Sequence, residues 1–190
     1  MELIFASHNE NKVKEIRAIL PESIHLLSLN DIGFHEEIEE TGNTLEENAQ
    51  IKAETIYNQT GENVFADDSG LFVDALDGAP GVFSARYAGT GNSKDNIRKL
   101  IDELKNKESR NASFQAVFCI ILNGKIDFLK GEINGKIIQE EKGTDGFGYD
   151  PVFIPDGYEK TFAEMDSEMK NQISHRAKAV QKLITFIQNI

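Results

Sequence analysis

At 190 residues the chain has room for one compact domain of the usual ~100–200 residues, and two full domains are not expected. Hydrophobic residues make up 39% of it and charged ones 27%, with only 4 Pro, which excludes the disordered, collagenous and coiled-coil classes and permits a sizeable core. A formal net charge of −12 opposes a long phosphate backbone and an anionic membrane surface, so neither a nucleic acid polymer nor a membrane is an expected partner.

The longest apolar run, residues 116–122, falls far short of the ~18 residues of a membrane span, and no basic region followed by an apolar one opens the chain. A soluble, cytoplasmic protein is expected. The single cysteine, Cys119, lies inside that run, where it has no partner for an internal disulfide and reads as a small core residue. The sequence shows no linker, tandem repeat or low-complexity tract and reads as one continuous domain.

In chain order, residues 3–6 read as a short buried strand, followed by Ser7-His8-Asn9 and a helix whose Val13, Ile16, Ile19 and Leu20 recur at helical spacing. Residues 25–29 read as a second strand. The acidic stretch 36–41 leads to Thr44-x-x-Glu47, a capping box that starts a helix running to about residue 58, with Gly61 at its end. Residues 64–66 and 71–73 are β-like segments on either side of Asp67-Asp68-Ser69-Gly70, and Gly78-Ala79-Pro80-Gly81 is a loop by its turn chemistry. Residues 93–105 form another helix. Residues 114–122, the turn Asn123-Gly124 and residues 125–130 make a hairpin, because Asn-Gly supplies the positive φ angles of a tight turn. Residues 143–155 are a glycine- and aromatic-rich loop. Ser174 opens a terminal helix with Ala177, Val180, Leu183, Ile184 and Ile187 on one apolar stripe. The sum is a mixed α/β domain with an antiparallel component.

Ser7-His8-Asn9-Glu10-Asn11-Lys12 places a lysine in the first turn of a helix, where the dipole prefers anions. A phosphate held by backbone N–H groups, Ser7, Asn9 and Lys12 would remove that conflict. The alternative is an ordinary cap with Lys12 in solvent, and the segment lacks the glycines of a P-loop. His175 and Arg176 repeat the pattern after Ser174, suiting a triphosphate or a base edge, or else simple solvation.

Asp67 and Asp68 follow an apolar strand, in which neighbouring side chains point to opposite faces, so the two carboxylates must have divided roles. With Glu36, Glu37, Glu39 and Glu40 they offer hard oxygen ligands of the kind Mg²⁺ takes alongside substrate phosphates, whereas a Cys/His set for zinc is missing. Taken singly, Asp67 reads as structural and most of the upstream glutamates as solvated. Lys52 shares an apolar stripe with Leu45, Ala49 and Ile56, with Asn48 at its edge; it either snorkels to solvent or reaches a carboxylate or phosphate. In the loop Gly143-Thr144-Asp145-Gly146-Phe147-Gly148-Tyr149-Asp150-Pro151 the glycines allow close approach of a ligand. A base stacks on Phe147 or Tyr149 while Asp150 reads its edge, or the loop packs onto the core.

Taken in order, Ser7-x-Asn9-x-x-Lys12, Glu39-Glu40-Thr41-Gly42, Asp67-Asp68-Ser69-Gly70-Leu71, Gly78-Ala79-Pro80-Gly81 with Ser84-Ala85-Arg86-Tyr87, Phe147-Gly148-Tyr149-Asp150-Pro151 and Ser174-His175-Arg176 resemble the inosine/xanthosine triphosphate pyrophosphatase family over essentially the whole chain. His8 departs from it, standing in the phosphate loop where the family often has a small residue. The resemblance implies an α/β fold with a mixed, elongated central sheet flanked by helices, in two lobes with an active-site cleft between them, usually as a homodimer. It also implies Mg²⁺-dependent hydrolysis of non-canonical purine nucleoside triphosphates (ITP, dITP, XTP) to the monophosphate and pyrophosphate, which cleanses the nucleotide pool.

Position by position, the resemblance gives Ser7, His8, Asn9, Glu10, Asn11 and Lys12 to the phosphates and Glu39 and Asp68 to the metal. It further implies that Asp68 activates water, that Lys52 and Lys170 contact phosphate, Lys52 being catalytic together with Asp68, and that Ser69 contacts substrate. Phe147, Gly148, Tyr149 and Asp150 form the base pocket, and His175 and Arg176 read the base edge. Two rival readings exist: a nucleotide-binding regulatory module without turnover, which needs no pairing of Asp68 with Glu39, and a general metal-dependent phosphatase, which releases single phosphate.

Overall fold

The computed structural model describes residues 1–189. Strands β1 (Glu2–Phe5), β2 (His25–Ser28), β3 (Val64–Val73), β4 (Asn111–Leu122), β5 (Lys125–Ile137) and β6 (Phe153–Pro155) form a six-stranded sheet in the order β2-β1-β3-β4-β5-β6. β1 runs parallel to both neighbours, with Leu3 opposite Leu26 and Phe5 opposite Phe65. Parallel neighbours need crossovers, which α1 (Glu10–Arg17) supplies between β1 and β2 and α2 (Leu45–Thr60) between β2 and β3. β4 and β5 are joined by Asn123 and Gly124, with φ of 49° and 78°, and a two-residue turn can join only antiparallel strands. β6 is antiparallel to β5. The fold is thus a mixed α/β sheet flanked by helices, as the sequence leads one to expect.

The chain divides into two compact units. The first comprises Met1–Asp68, Ala116–Gly131 and the stretch from Arg176 onward; the second comprises Ser69–Gln115 and Glu132–His175. In the first, alternation along β1 sends Leu3 and Phe5 to one face, where they meet Val13 and Ile16 of α1 and Ala179, Val180 and Leu183 of α5 (His175–Gln188). Ile4 and Ala6 point the other way, towards Ala49, Ala53 and Ile56 of α2. Both faces are covered, which is why residues 116–122 of β4 read as an unbroken apolar run instead of an alternating one. Each such side chain, fully buried, contributes about 1.5–3 kcal/mol. The second unit has its own core, built by Leu71 and Val73 of β3, Ile97 and Leu100 of α3 (Ser93–Glu103), Ile133 and Ile137 of β5, and Phe153 and Phe162.

Several elements differ from the sequence reading. Asp67-Asp68-Ser69-Gly70 is not a turn between two segments: β3 runs through it without a break for 10 residues. The loop expected over residues 143–155 ends in a 3-10 turn, Asp150–Val152, and in β6. Helix α4 (Ser167–Ile173), capped by Asp166, was not expected, and Ser174 terminates α4 as well as preceding α5. At α2, Thr44 Oγ1 accepts the Glu47 N–H at 3.1 Å as a capping box requires, but the Glu47 carboxylate accepts from Asn43 N–H (2.6 Å), one residue further out.

Candidate active site

The residues expected to take phosphate, Ser7 to Lys12 and Lys52, lie in the first unit. Asn9 is the N-cap of α1, and its Oδ1 accepts from the backbone N–H of Asn11 (3.1 Å) and Lys12 (3.2 Å). Ser7 Oγ accepts from Asn9 N–H at 3.2 Å. Glu10 is hydrogen-bonded to Asn30, and Asn11 is exposed. His8 Nε2 donates to the Glu36 carbonyl (3.0 Å), and its ring lies 6.1 Å from that of Phe34, so the departing residue of the loop is turned towards the acidic segment.

Lys12 does not sit in solvent. Its side chain is 14% exposed and its ammonium donates to Asp67 Oδ1 at 2.9 Å. Asp67 is 1% exposed, and its Oδ2 lies 3.6 Å from Arg176, whose guanidinium also donates to Glu15 at 2.5 Å. Burial works to raise the Asp67 carboxyl, but Lys12, Arg176 and Lys52 together outweigh it and hold the group below the usual carboxylate range. The same burial, reinforced by the neighbouring Lys52 and Arg176, pulls the Lys12 ammonium down despite Asp67. Three cations thus converge on Asp67, two of them shared with Glu15 and Glu40.

On the other side of the strand, Asp68 accepts from Asn48 Nδ2 at 2.9 Å. Its carboxyl is pushed up, by burial first and by Glu40 in addition, against the opposing pull of Lys52, Lys12 and the Asn48 hydrogen bond. Lys52 is paired with Glu40 and is held charged, because Asp67, Asp68 and Glu40 overcome its burial. It therefore reaches carboxylates beneath the helix instead of snorkelling outward.

The carboxylates fit a divalent hard cation. Burial foremost, with Glu40 adding to it, makes the Asp68 charge costly, and a cation beside the two carboxylates would offset that cost. No cluster of three or more His, Cys, Asp or Glu side chains suited to a metal occurs among the described residues. Glu39 is exposed beside Glu40.

The residues expected to form a base pocket, Phe147 to Asp150, lie in the second unit. Asp150 Oδ2 accepts from Lys170 Nζ (2.7 Å) and from Phe147 N–H (2.8 Å), and the Lys170 ammonium lies 5.2 Å from the centre of the Phe147 ring. A Cβ on Gly146, where φ is +77°, would collide with the Asp150 carboxylate, so that turn needs glycine. Tyr149 is buried in the core and its hydroxyl donates to the Ser84 carbonyl at 2.8 Å, whereas Phe147 is half-buried. Ser69 and Gly148 are half-buried. His175 stacks on Phe114, ring centres 4.8 Å apart. Asn48, Glu15 and the charge-gathering role of Asp67 escaped the sequence reading. Only Asn48 left a signal there, as an amide at the edge of an apolar stripe.

The chain is similar to known proteins along most of its length. A sequence profile of the Ham1 family matches residues 3–186. A dITP/XTP pyrophosphatase of Flavobacterium psychrophilum is 52% identical over 190 residues, covering 100% of both chains. Another from Bacillus licheniformis is 51% identical over 187 residues, 96% of this chain and 95% of its own. Among solved structures, the Ham1 protein of Staphylococcus aureus matches with a TM-score of 0.90 at 38% identity, covering 100% of this chain and 99% of its own. A HAM1 protein from Coxiella burnetii gives 0.92 at 38%, covering 100% of both.

Proposed function

Because this chain belongs to the Ham1 family, we propose that it hydrolyses the non-canonical purine nucleoside triphosphates ITP, dITP and XTP to the monophosphate and pyrophosphate. The observation that carries the reading is the division of labour on β3: Asp67 gathers Lys12, Lys52 and Arg176, while Asp68 is left with a raised carboxyl beside Glu40. Phosphoryl transfer is largely positioning and neutralisation of charge, and these are the groups it calls for.

In this reading the loop Ser7 to Lys12 and Lys52 take the phosphates, with Lys170 as a further phosphate contact. Asp68 accepts the proton of the attacking water, a task to which a carboxyl with raised proton affinity is suited. The water oxygen bonds to the α-phosphorus as the bond from that phosphorus to its bridging oxygen breaks, giving the monophosphate, and pyrophosphate leaves. Mg²⁺, held by Asp68 and the Glu39-Glu40 segment, would supply neutralisation of phosphate charge. Ser69 contacts the substrate, Phe147 to Asp150 receive the base, and His175 and Arg176 read its edge. The reading extends to a cytoplasmic homodimer; both rest on the family resemblance, and light scattering on the purified chain tests the dimer.

The deciding assay is ITP with Mg²⁺, scored for pyrophosphate against single phosphate. Pyrophosphate with inosine monophosphate is the expected outcome. Single phosphate makes the chain a general phosphatase, and binding without turnover makes it a regulatory module.

A further inference from the structure

Asn48 is completely buried, and an amide in that situation needs partners for both of its ends. It has them. Its Oδ1 accepts the Gly42 N–H at 2.8 Å, and its Nδ2 donates to Asp68 Oδ2 at 2.9 Å. The helix fixes where the side chain starts: Thr44 is the N-cap of α2, and Asn48 N–H closes the first turn on the Thr44 carbonyl (3.2 Å). The other partner is fixed too. A Cβ on Gly42 would lie 2.6 Å from Glu47 Cβ and 2.7 Å from Asn48 Oδ1, so the backbone at Gly42 approaches the helix as only glycine permits. Gly42 follows Glu39 and Glu40 by two to three residues, which puts the two acidic segments, Glu39-Glu40 and Asp68, at the two ends of one amide.

We propose that Asn48 is a positioning residue for the hydrolytic site: its amide ties the Glu39-Glu40-Thr41-Gly42 segment to Asp68 and sets the carboxylates of both in register for water activation and for the metal. An amide is the side chain that fits, since one end must accept from a backbone N–H while the other donates to a carboxylate. Aspartate offers two acceptors and leucine offers nothing. The inference rests on the hydrolytic reading above, but the tie itself is a matter of geometry and is testable apart from it.

Asn48→Asp is the discriminating variant, because it keeps the volume and the acceptor for Gly42 yet faces Asp68 with an acceptor in place of a donor. In this variant kcat for ITP falls about 10–100-fold with KM nearly unchanged, as loss of a charge-assisted hydrogen bond and a displaced carboxylate require. Asn48→Ala loses both ends. Mn²⁺ alone, titrated into the nucleotide-free protein and followed by its paramagnetic signal, binds Asn48→Ala several-fold more weakly than wild type. Should Asn48→Asp keep wild-type kcat, Asn48 serves only to hold Gly42 and the proposal fails. It fails equally if kcat, KM and Tm all deteriorate together in Asn48→Asp, or if Mn²⁺ affinity is the same in wild type and Asn48→Ala. If wild type releases no pyrophosphate from ITP, the functional reading falls instead, while the Mn²⁺ titration still decides the tie.

Discussion

Asp67 and Asp68 share a peptide bond and are driven in opposite directions by their surroundings. Both are buried, at 1% and 7% exposure. Around Asp67 the cations Lys12, Arg176 and Lys52 overcome burial and keep the group ionised; around Asp68 burial prevails with the help of Glu40. The pleat of β3 makes this possible by sending the two side chains to opposite faces.

Asp68→Asn therefore abolishes proton acceptance while sparing the cation cluster. A loss of about 10²–10⁴-fold in kcat is expected, the worth of a general base, with triphosphate affinity largely kept. Rapid-quench kinetics and calorimetry on the same preparation check both halves. Near wild-type kcat would remove Asp68 from the role of base.

Asp67→Asn acts on stability instead. It takes from Lys12 the carboxylate it pairs with, while Arg176 keeps Glu15, and breaking a buried ion pair from one side costs about 3–5 kcal/mol. Added inosine triphosphate, with magnesium chelated, restores part of the deficit by supplying negative charge. Urea denaturation with and without nucleotide measures this, and a cost below about 1 kcal/mol would place the pair with ordinary surface ion pairs.

Arg176→Ala tests base discrimination. Inosine presents a carbonyl at purine position 6 where adenine presents an amino group, and a guanidinium has only donors. A charge-assisted hydrogen bond of about 1.5–3 kcal/mol corresponds to a drop of about 10–100-fold in kcat/KM for ITP, with a smaller drop for ATP. Parallel losses for both nucleotides would assign Arg176 to its contacts with Glu15 and Asp67 alone.

Asp31 gives a pH dependence of known sign. Its carboxylate accepts from the Ser28 hydroxyl and N–H, both at 2.7 Å, and from Arg17 at 2.5 Å, and these bonds, Ser28 first, hold it below the usual carboxylate range. The folded state thus takes up the proton less readily than the unfolded chain. The stabilisation is present above the unfolded value of about 3.9 and fades as pH falls through the lower folded value. The stability gap between wild type and Asp31→Asn should be steady between about pH 7 and pH 5 and shrink below about pH 4. A gap that widens on acidification would contradict this.

The sequence made α2 and α5 legible because their apolar stripes follow the helical period over many residues, and Gly61, at φ 71°, ends α2 where a left-handed residue is needed. The β4–β5 hairpin was legible through Asn123-Gly124. β3 was not, because two carboxylates, a serine and a glycine in succession have the composition of a turn. The cations brought from α1, α2 and α5 for Asp67, and the Asn48 amide for Asp68, make two adjacent buried aspartates tolerable within a strand, and nothing local announces them. β6 was hidden similarly: three residues after a proline-containing 3-10 turn are too few to show a period. At the site the residue types were readable, whereas their pairings across long stretches of chain, Lys12 with Asp67 or Arg176 with Glu15, had to come from the fold.

The order in which the chain leaves the ribosome has a bearing on how it folds. The core that holds Leu3, Phe5, Val13 and Ile16 is completed by Ala179, Val180 and Leu183 of α5, so these apolar segments must wait for one that emerges long after them. The second unit has all its residues by His175 and can assemble while the first is still unfinished. Nascent chains usually fold from their beginning; here the middle is ready first, and the exposed opening segments are the part a chaperone would have to shelter.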